Sequence, residues 1–143
     1  MKVRQVSVFL ENRSGRLAKI TTALGNAGIN IRAMSLADTS DFGILRMVMT
    51  NTEKAVALLK EHGFTVRVTE VLAVSIPDMP GALGNLLSIM ENTGLNLEYV
   101  YVFIQKSPDE AVLIFRFDDP DRALKTLLEN GINVLDENAV LGI

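Results

Sequence analysis

The sequence predicts an α+β fold: two tandem ferredoxin-like β-α-β-β-α-β units, each an antiparallel sheet with its helices on one face. Three observations carry that prediction. The stretch Asn12 to Ile31 recurs at Asp78 to Leu97 without a gap. In each copy the apolar residues fall first at every second position, then at spacings of three and four, and the alternation then repeats. A glycine closes each predicted helix, where the chain needs a left-handed residue.

The repeat is in strict register. Gly15, Leu17, Asn26, Gly28 and Asn30 reappear as Gly81, Leu83, Asn92, Gly94 and Asn96, a constant shift of 66. It divides the chain of 143 residues at 1–70 and 71–143. Units of roughly seventy residues lie near the lower limit for an independent core, so mutual support by packing is expected.

The first copy opens with Val6, Val8 and Leu10 alternating with Gln5, Ser7 and Phe9, the pattern of a half-buried strand. Glu11 to Gly15 reads as a turn. Leu17, Ile20, Leu24 and Ala27 then mark one face of a helix, which Gly28 ends. Asn30 to Asp38 and Phe42 to Met49 read as a hairpin turned at Thr39-Ser40-Asp41. Asn51 is the expected N-cap of a second helix with Ala55, Leu58 and Leu59 inward, stopped by Gly63 after His62. Thr65 to Glu70 is the fourth strand, which completes the unit.

The second copy repeats the plan. Val71 to Val74 begins its first strand, and Pro77 to Gly81 forms its turn. Leu83, Leu86, Leu87 and Met90 make the helix face that Gly94 stops. Tyr99 to Ile104 and Ala111 to Phe117 form a hairpin with a longer tip at Gln105 to Glu110, after which the shift becomes 68. Asp119 and Pro120 supply an N-cap and a first-turn proline. Ala123, Leu124, Leu127 and Leu128 face inward, Gly131 stops the helix, and Asn133 to Leu141 is expected to close the sheet as a strand.

The two hairpins differ in one respect. Where the first copy has Ala33, Ser35 and Ala37, the second has Tyr99, Tyr101 and Phe103. The alternate positions are apolar in both (Met34 and Leu36; Val100 and Val102) and are assigned to the helix-covered core. The aromatic ridge then lies on the other sheet face and asks for cover from another copy of the unit, with Ala33, Ser35 and Ala37 as its receiver within one chain or across two. Because the edge strands need cover as well, a homodimer is expected.

Composition narrows the function. With 48% hydrophobic and 22% charged residues, the chain is not a disordered one. Fourteen basic and 17 acidic residues, a net charge of −3, give no footprint for nucleic acid. Cysteine is absent, which removes disulfides and thiol chemistry and fits the cytoplasm. No apolar run reaches the length of a membrane span, and Met1 to Leu10 lacks the apolar core of a signal peptide. His62, the only histidine, sits at a helix C-terminus where a positive group is favourable in any case. Asp118, Asp119 and Asp121 suit a helix N-terminus without any cation. The six methionines fit core filling. No nucleophile, base and orienting group recur together, so no catalytic site and no cofactor or metal is expected.

The turn from Asn12 to Leu17 has a physical use. Amides of a helix's first turn lack partners and carry the positive dipole end, so a carboxylate or phosphate can sit there. Gly15 admits a ligand close to the backbone, and Asn12 and Asn30 each offer a donor and an acceptor.

These residues carry a resemblance. Leu10-Glu11-Asn12-Arg13-Ser14-Gly15-Arg16-Leu17, followed by Ala27-Gly28-Ile29-Asn30-Ile31, resembles the ACT domain, an amino-acid-sensing regulatory module. The second copy matches through Pro80-Gly81-Ala82-Leu83 and Gly94-Leu95-Asn96-Leu97. The resemblance implies an amino acid held between the first loop and the asparagine that opens the second strand, often at the interface of two paired domains. The implied site comprises Leu10, Asn12, Arg13, Ser14, Gly15, Arg16, Leu17, Asn30 and Ile31. Its counterpart comprises Asp78, Met79, Pro80, Gly81, Ala82, Leu83, Asn96 and Leu97. Asp78 departs from the pattern, standing where the first copy has Asn12. The resemblance implies a stand-alone regulator that binds an amino acid and acts on a separate metabolic enzyme or regulator.

Two other functions share the fold class. An RNA-binding module needs aromatics on an exposed sheet with basic surroundings, and the acidic balance opposes it. An acylphosphatase-type enzyme needs a loop arginine and a positioned water, for which Arg13 and Asn30 are the only set.

Overall fold

A computed structural model describes residues 1–11, 13–38, 41–103 and 108–142. Asn12, the turn residues Thr39 and Ser40, and the predicted hairpin tip between 104 and 107 lie outside the described residues. The chain forms two compact units, one of Arg4–Thr69 and one of Glu70–Ile143 with Met1–Val3.

The first unit contains β1 (Val3–Glu11) from Arg4 onward, α1 (Arg16–Asn26), β2 (Ile31–Asp38), β3 (Phe42–Met49) and α2 (Thr52–Glu61). It ends in the first half of β4 (Thr65–Pro77). β3 lies antiparallel between β1 and β2, with Leu10 opposite Gly43 and Met34 opposite Met47. Val6, Val8 and Leu10 of β1 pack with Ile20 and Leu24 of α1 and Ala55 and Leu59 of α2. The predicted helix faces are therefore the buried ones.

The second unit repeats this arrangement with the rest of β4, α3 (Ala82–Met90), β5 (Leu97–Val102), β6 (Glu110–Phe117), α4 (Pro120–Glu129) and β7 (Asn133–Leu135). β6 pairs with both β4 and β5, and β7 pairs with β4 on its other side, all antiparallel. Its core joins Leu72, Val74, Ile76, Leu86, Phe115 and Leu127.

The duplication extends to the hydrogen-bond ladder. Leu10 pairs with Gly43, and Ile76 pairs with Ala111 at shifts of 66 and 68. A register shift between Ile31 and Ala33 recurs between Leu97 and Tyr99. The N-caps recur too: the Asn51 carboxamide oxygen accepts from the Lys54 amide and the Asp119 carboxylate from the Arg122 amide, both at 3.1 Å. Among the described residues, positive φ is confined to Gly15, Gly28 and Gly63 and their counterparts Gly81, Gly94 and Gly131.

Three expectations need correction. The segment Asn133 to Leu141 is not one strand: β7 stops at Leu135 and a helix, α5 (Glu137–Gly142), follows. Asp136 is the cause, since its carboxylate accepts from the Ala139 amide at 2.7 Å and its carbonyl from the Val140 amide at 3.1 Å. Val140 is fully buried, which anchors the short helix.

β1 is buried on both faces through its middle, with Gln5 and Ser7 buried like Val6 and Val8, while Phe9 on the same face as Gln5 and Ser7 stays exposed. Their polar side chains face each other, the Gln5 amide nitrogen 3.4 Å from the Ser7 hydroxyl.

The third correction concerns the alternate positions of β5. Tyr101 stands opposite Ile114 and Val102 opposite Leu113, so the tyrosines do lie on the face away from the helices. Yet Tyr101 and Phe103 are buried, while Val102 on the helix side is 61% exposed. The valines belong to β5, of which only Leu97 is among the residues packed on the unit's core.

Candidate functional site

The turn between β1 and α1 is built by three backbone bonds. The Arg13 amide donates to the Glu11 carbonyl at 2.8 Å, Arg16 to Arg13 at 3.4 Å, and Lys19 to Gly15 at 3.0 Å. The second copy repeats them from Met79 to Pro77 (3.0 Å), Ala82 to Met79 (3.3 Å) and Asn85 to Gly81 (2.9 Å). Gly15 and Gly81 are the N-caps, at φ 85° and 89°, and having no side chain they cannot cap the amides that follow. No described side chain caps either helix. Asp78 does not neutralise the start of α3 by this route; its amide donates to the Asp109 carbonyl at 3.0 Å.

Charge at the first turn is locally balanced. The Glu11 carboxylate accepts from the Arg13 guanidinium at 3.0 Å and faces Arg16 at 3.7 Å. The bond from Arg13, then the two positive charges, hold the Glu11 carboxyl below its usual value of 4.5. A depression of about 100 Å³ joins Leu10, Glu11, Arg13, Arg16 and Leu17 to Leu36, Asp38 and Gly43 of the hairpin. The sequence-predicted loop residues thus meet the far end of β2, which the sequence did not single out.

Asn30 and Asn96 are elsewhere. The Asn30 amide donates to the Thr50 hydroxyl and its carbonyl accepts from the Thr50 amide, both at 3.0 Å. Asn96 makes the same exchange with Asp118, at 3.0 and 3.1 Å. Both asparagines are exposed. They lie at the opposite end of the sheet from the loop of their own copy. Glu11 pairs with Phe42, the first residue of β3, and Ile31 pairs with Met49, the last. Seven strand steps separate those rungs by about 23 Å. Within one copy the structure does not bring loop and asparagine to one small ligand.

A larger cleft lies in the second copy, between the start of α3, the end of β4 and the turn before β7. It has a volume of about 410 Å³ and is lined by Ile76, Leu86, Ile89, Ile132, Ser75 and Glu110, together with Met79, Pro80 and Ala82 of the loop. Apart from the loop residues and Leu86, a helix-face position, the sequence pointed to none of these. The signal was there in the copy-to-copy differences, which a search for shared residues passes over. Among the described residues no cluster of three acidic or histidine side chains is placed to hold a metal, and no helix is long and apolar enough to cross a membrane.

The family model for the ACT domain pair matches residues 1–143. The chain belongs to that family. This ACT pair is similar to the crystal structure of protein BT0572 from Bacteroides thetaiotaomicron, at 34% identity over 100% of this chain and 98% of that one, with a TM-score of 0.94. It shares its fold with the regulatory subunits of aspartate kinase from Thermus thermophilus (16% identity, 88% and 90% coverage, TM-score 0.62) and Thermus flavus (18% identity, 88% and 90% coverage, TM-score 0.60). Comparison of the ACT pair with curated protein sequences gives no significant match. ACT domains are regulatory modules that bind small molecules, and in this pair the repeated uncapped helix start is the feature suited to that use.

Proposed function

We propose that this ACT pair is a regulatory protein without catalytic activity of its own, which binds an amino acid and acts on a separate metabolic enzyme or regulator in the cytoplasm. Its functional domains are residues 1–70 and 71–143. One observation carries the reading: each copy builds the same turn, a left-handed glycine N-cap and a helix start that no described side chain caps. Such a start presents unpartnered amides and the positive dipole end to a carboxylate.

The distance between each loop and the asparagine of its own copy supports a ligand held between domains, the loop from one and Asn30 or Asn96 from another. That arrangement is the reason for a homodimer on this reading. The first copy is the better site, because Asn12 is neutral where Asp78 places a negative charge beside an end suited to anions.

A thermal-shift screen of the standard amino acids tests the proposal. A ligand that binds only the native state adds about 2.7 kcal/mol at a hundredfold excess over Kd. One amino acid, or a few close analogues, should raise the midpoint saturably and shift the amides of Gly15 and Arg16. No response to any amino acid overturns the reading.

A further inference from the structure

The two copies differ most sharply around one cleft, set between the first helix, the end of the first strand and the turn before the last strand. In the first copy its walls include Phe9, Phe42, Phe64 and Arg16, and its volume is about 220 Å³. The Arg16 guanidinium and Lys19 ammonium both lie over the Phe64 ring. At the matching positions the second copy has Ser75, Glu110, Ile132, Ala82 and Asn85. Each of the five exchanges shortens the side chain, and the cleft opens to about 410 Å³. That falls within the span of small-molecule sites, about 300–1,000 Å³, and the first copy's does not.

The opened cleft has a definite chemistry. Ile76, Leu86, Ile89 and Ile132 give it an apolar wall. Glu110 places a carboxylate at its rim, fixed by the buried Ser75 hydroxyl, which donates to it at 3.0 Å. Among the described residues no basic side chain pairs with Glu110. A cation against this wall is less screened than on an open surface and gains a charge-assisted hydrogen bond.

We propose that this cleft of the second copy binds a small molecule with a compact apolar body and a single ammonium group. The first copy refuses the same ligand: Phe9, Phe42 and Phe64 narrow its cleft, and its carboxylate, Glu11, is already paired with Arg13 and Arg16. Neither statement depends on the loop reading above.

Methyl NMR on the unmodified full chain is the test, with two arms of probes. Leucine and phenylalanine carry the ammonium with a carboxylate; isoamylamine and phenethylamine carry it without one. The matching alcohols serve as neutral controls. Saturable shifts at the methyls of Ile76, Leu86, Ile89 and Ile132, with amines preferred over alcohols by about tenfold or more, uphold the proposal. Which arm binds tighter says whether the ligand is an amino acid or a simple amine. Ile132→Phe, which copies the first unit, should abolish the shifts, and Glu110→Gln should erase the preference for amines. The proposal is overturned if no probe moves those methyls at millimolar concentration, or if Ile132→Phe and the unmodified chain respond alike. Shifts confined to the amides of Gly15, Arg16 and Gly81 would uphold the loop reading and overturn this one.

Discussion

The Arg16 guanidinium lies 5.9 Å from the centre of the Phe64 ring, and the Lys19 ammonium lies 5.8 Å from it. Two cations over one ring hold it against the start of α1. Phe64 also packs against the core of its unit. Phe64→Ala should cost about 1–2 kcal/mol, less than a fully buried phenylalanine because the ring is partly exposed. Urea denaturation would show it, and Ile132→Ala in the other copy should lose only the packing part.

Gly15 and Gly81 offer a paired experiment. Both have φ in the left-handed region, and a Cβ at either would meet nothing within 4 Å. The cost of alanine is therefore backbone strain alone, about 1–2 kcal/mol. Gly15→Ala and Gly81→Ala should destabilise by equal amounts in chemical denaturation. An unequal pair would mean that the two turns differ in ways their shared hydrogen bonds do not reveal.

The dependence on pH follows from exposed ion pairs. Arg4 bonds to Glu53 and Arg13 to Glu11, and each bond holds its carboxyl below the usual 4.5. In the native state these groups bind protons less readily than in the unfolded chain. Their contribution is complete above about pH 4.5 and drains away as the pH falls through the lower folded values. Lys2 runs the other way. Its bond to Asp121 raises it above 10.5, so its contribution holds below that pH and fades as the pH rises past the folded value. Glu53→Gln should flatten the acid limb of the stability curve, and added salt should do the same, because these pairs are open to solvent.

On the proposed function, Asn12 and Asp78 decide which copy senses the amino acid. A hydrogen bond to a charged group is worth about 1.5–3 kcal/mol, so Asn12→Ala should weaken binding roughly ten- to a hundredfold. Asp78→Ala should cost little or open the second loop to a carboxylate. Calorimetry on both variants separates the cases. Loss of binding in Asp78→Ala alone would make the second copy the sensor, with Asp78 as the partner of the ammonium.

Local signals made most of the fold legible. Glycines at 15, 28 and 63 and their repeats mark turns that only a left-handed residue makes easily, and Asn51 and Asp119 cap as their residue types predict. Cover of the second sheet face was legible at the aromatic ridge but not at β1, where Gln5 and Ser7 read as solvent-facing and are buried. The last strand failed for a local reason: Asp136 followed by Glu137 is a helix start, and the pairing of Val134 with Val74 hid it behind the repeat. The repeated loop was visible as a motif. Its separation from Asn30 was not, since sequence proximity across α1 conceals the length of the sheet.

The two extra residues of the second copy fall between Phe103 and Glu110, and they leave no trace in the ladder on either side. Phe103 still donates its amide to the Val112 carbonyl at 2.8 Å, and Pro77 still faces Glu110 as Glu11 faces Phe42. Chain length there is free of the registers that govern everything else. It is the position at which a peptide tag or a fluorophore can be written into the protein with both sheets left in step.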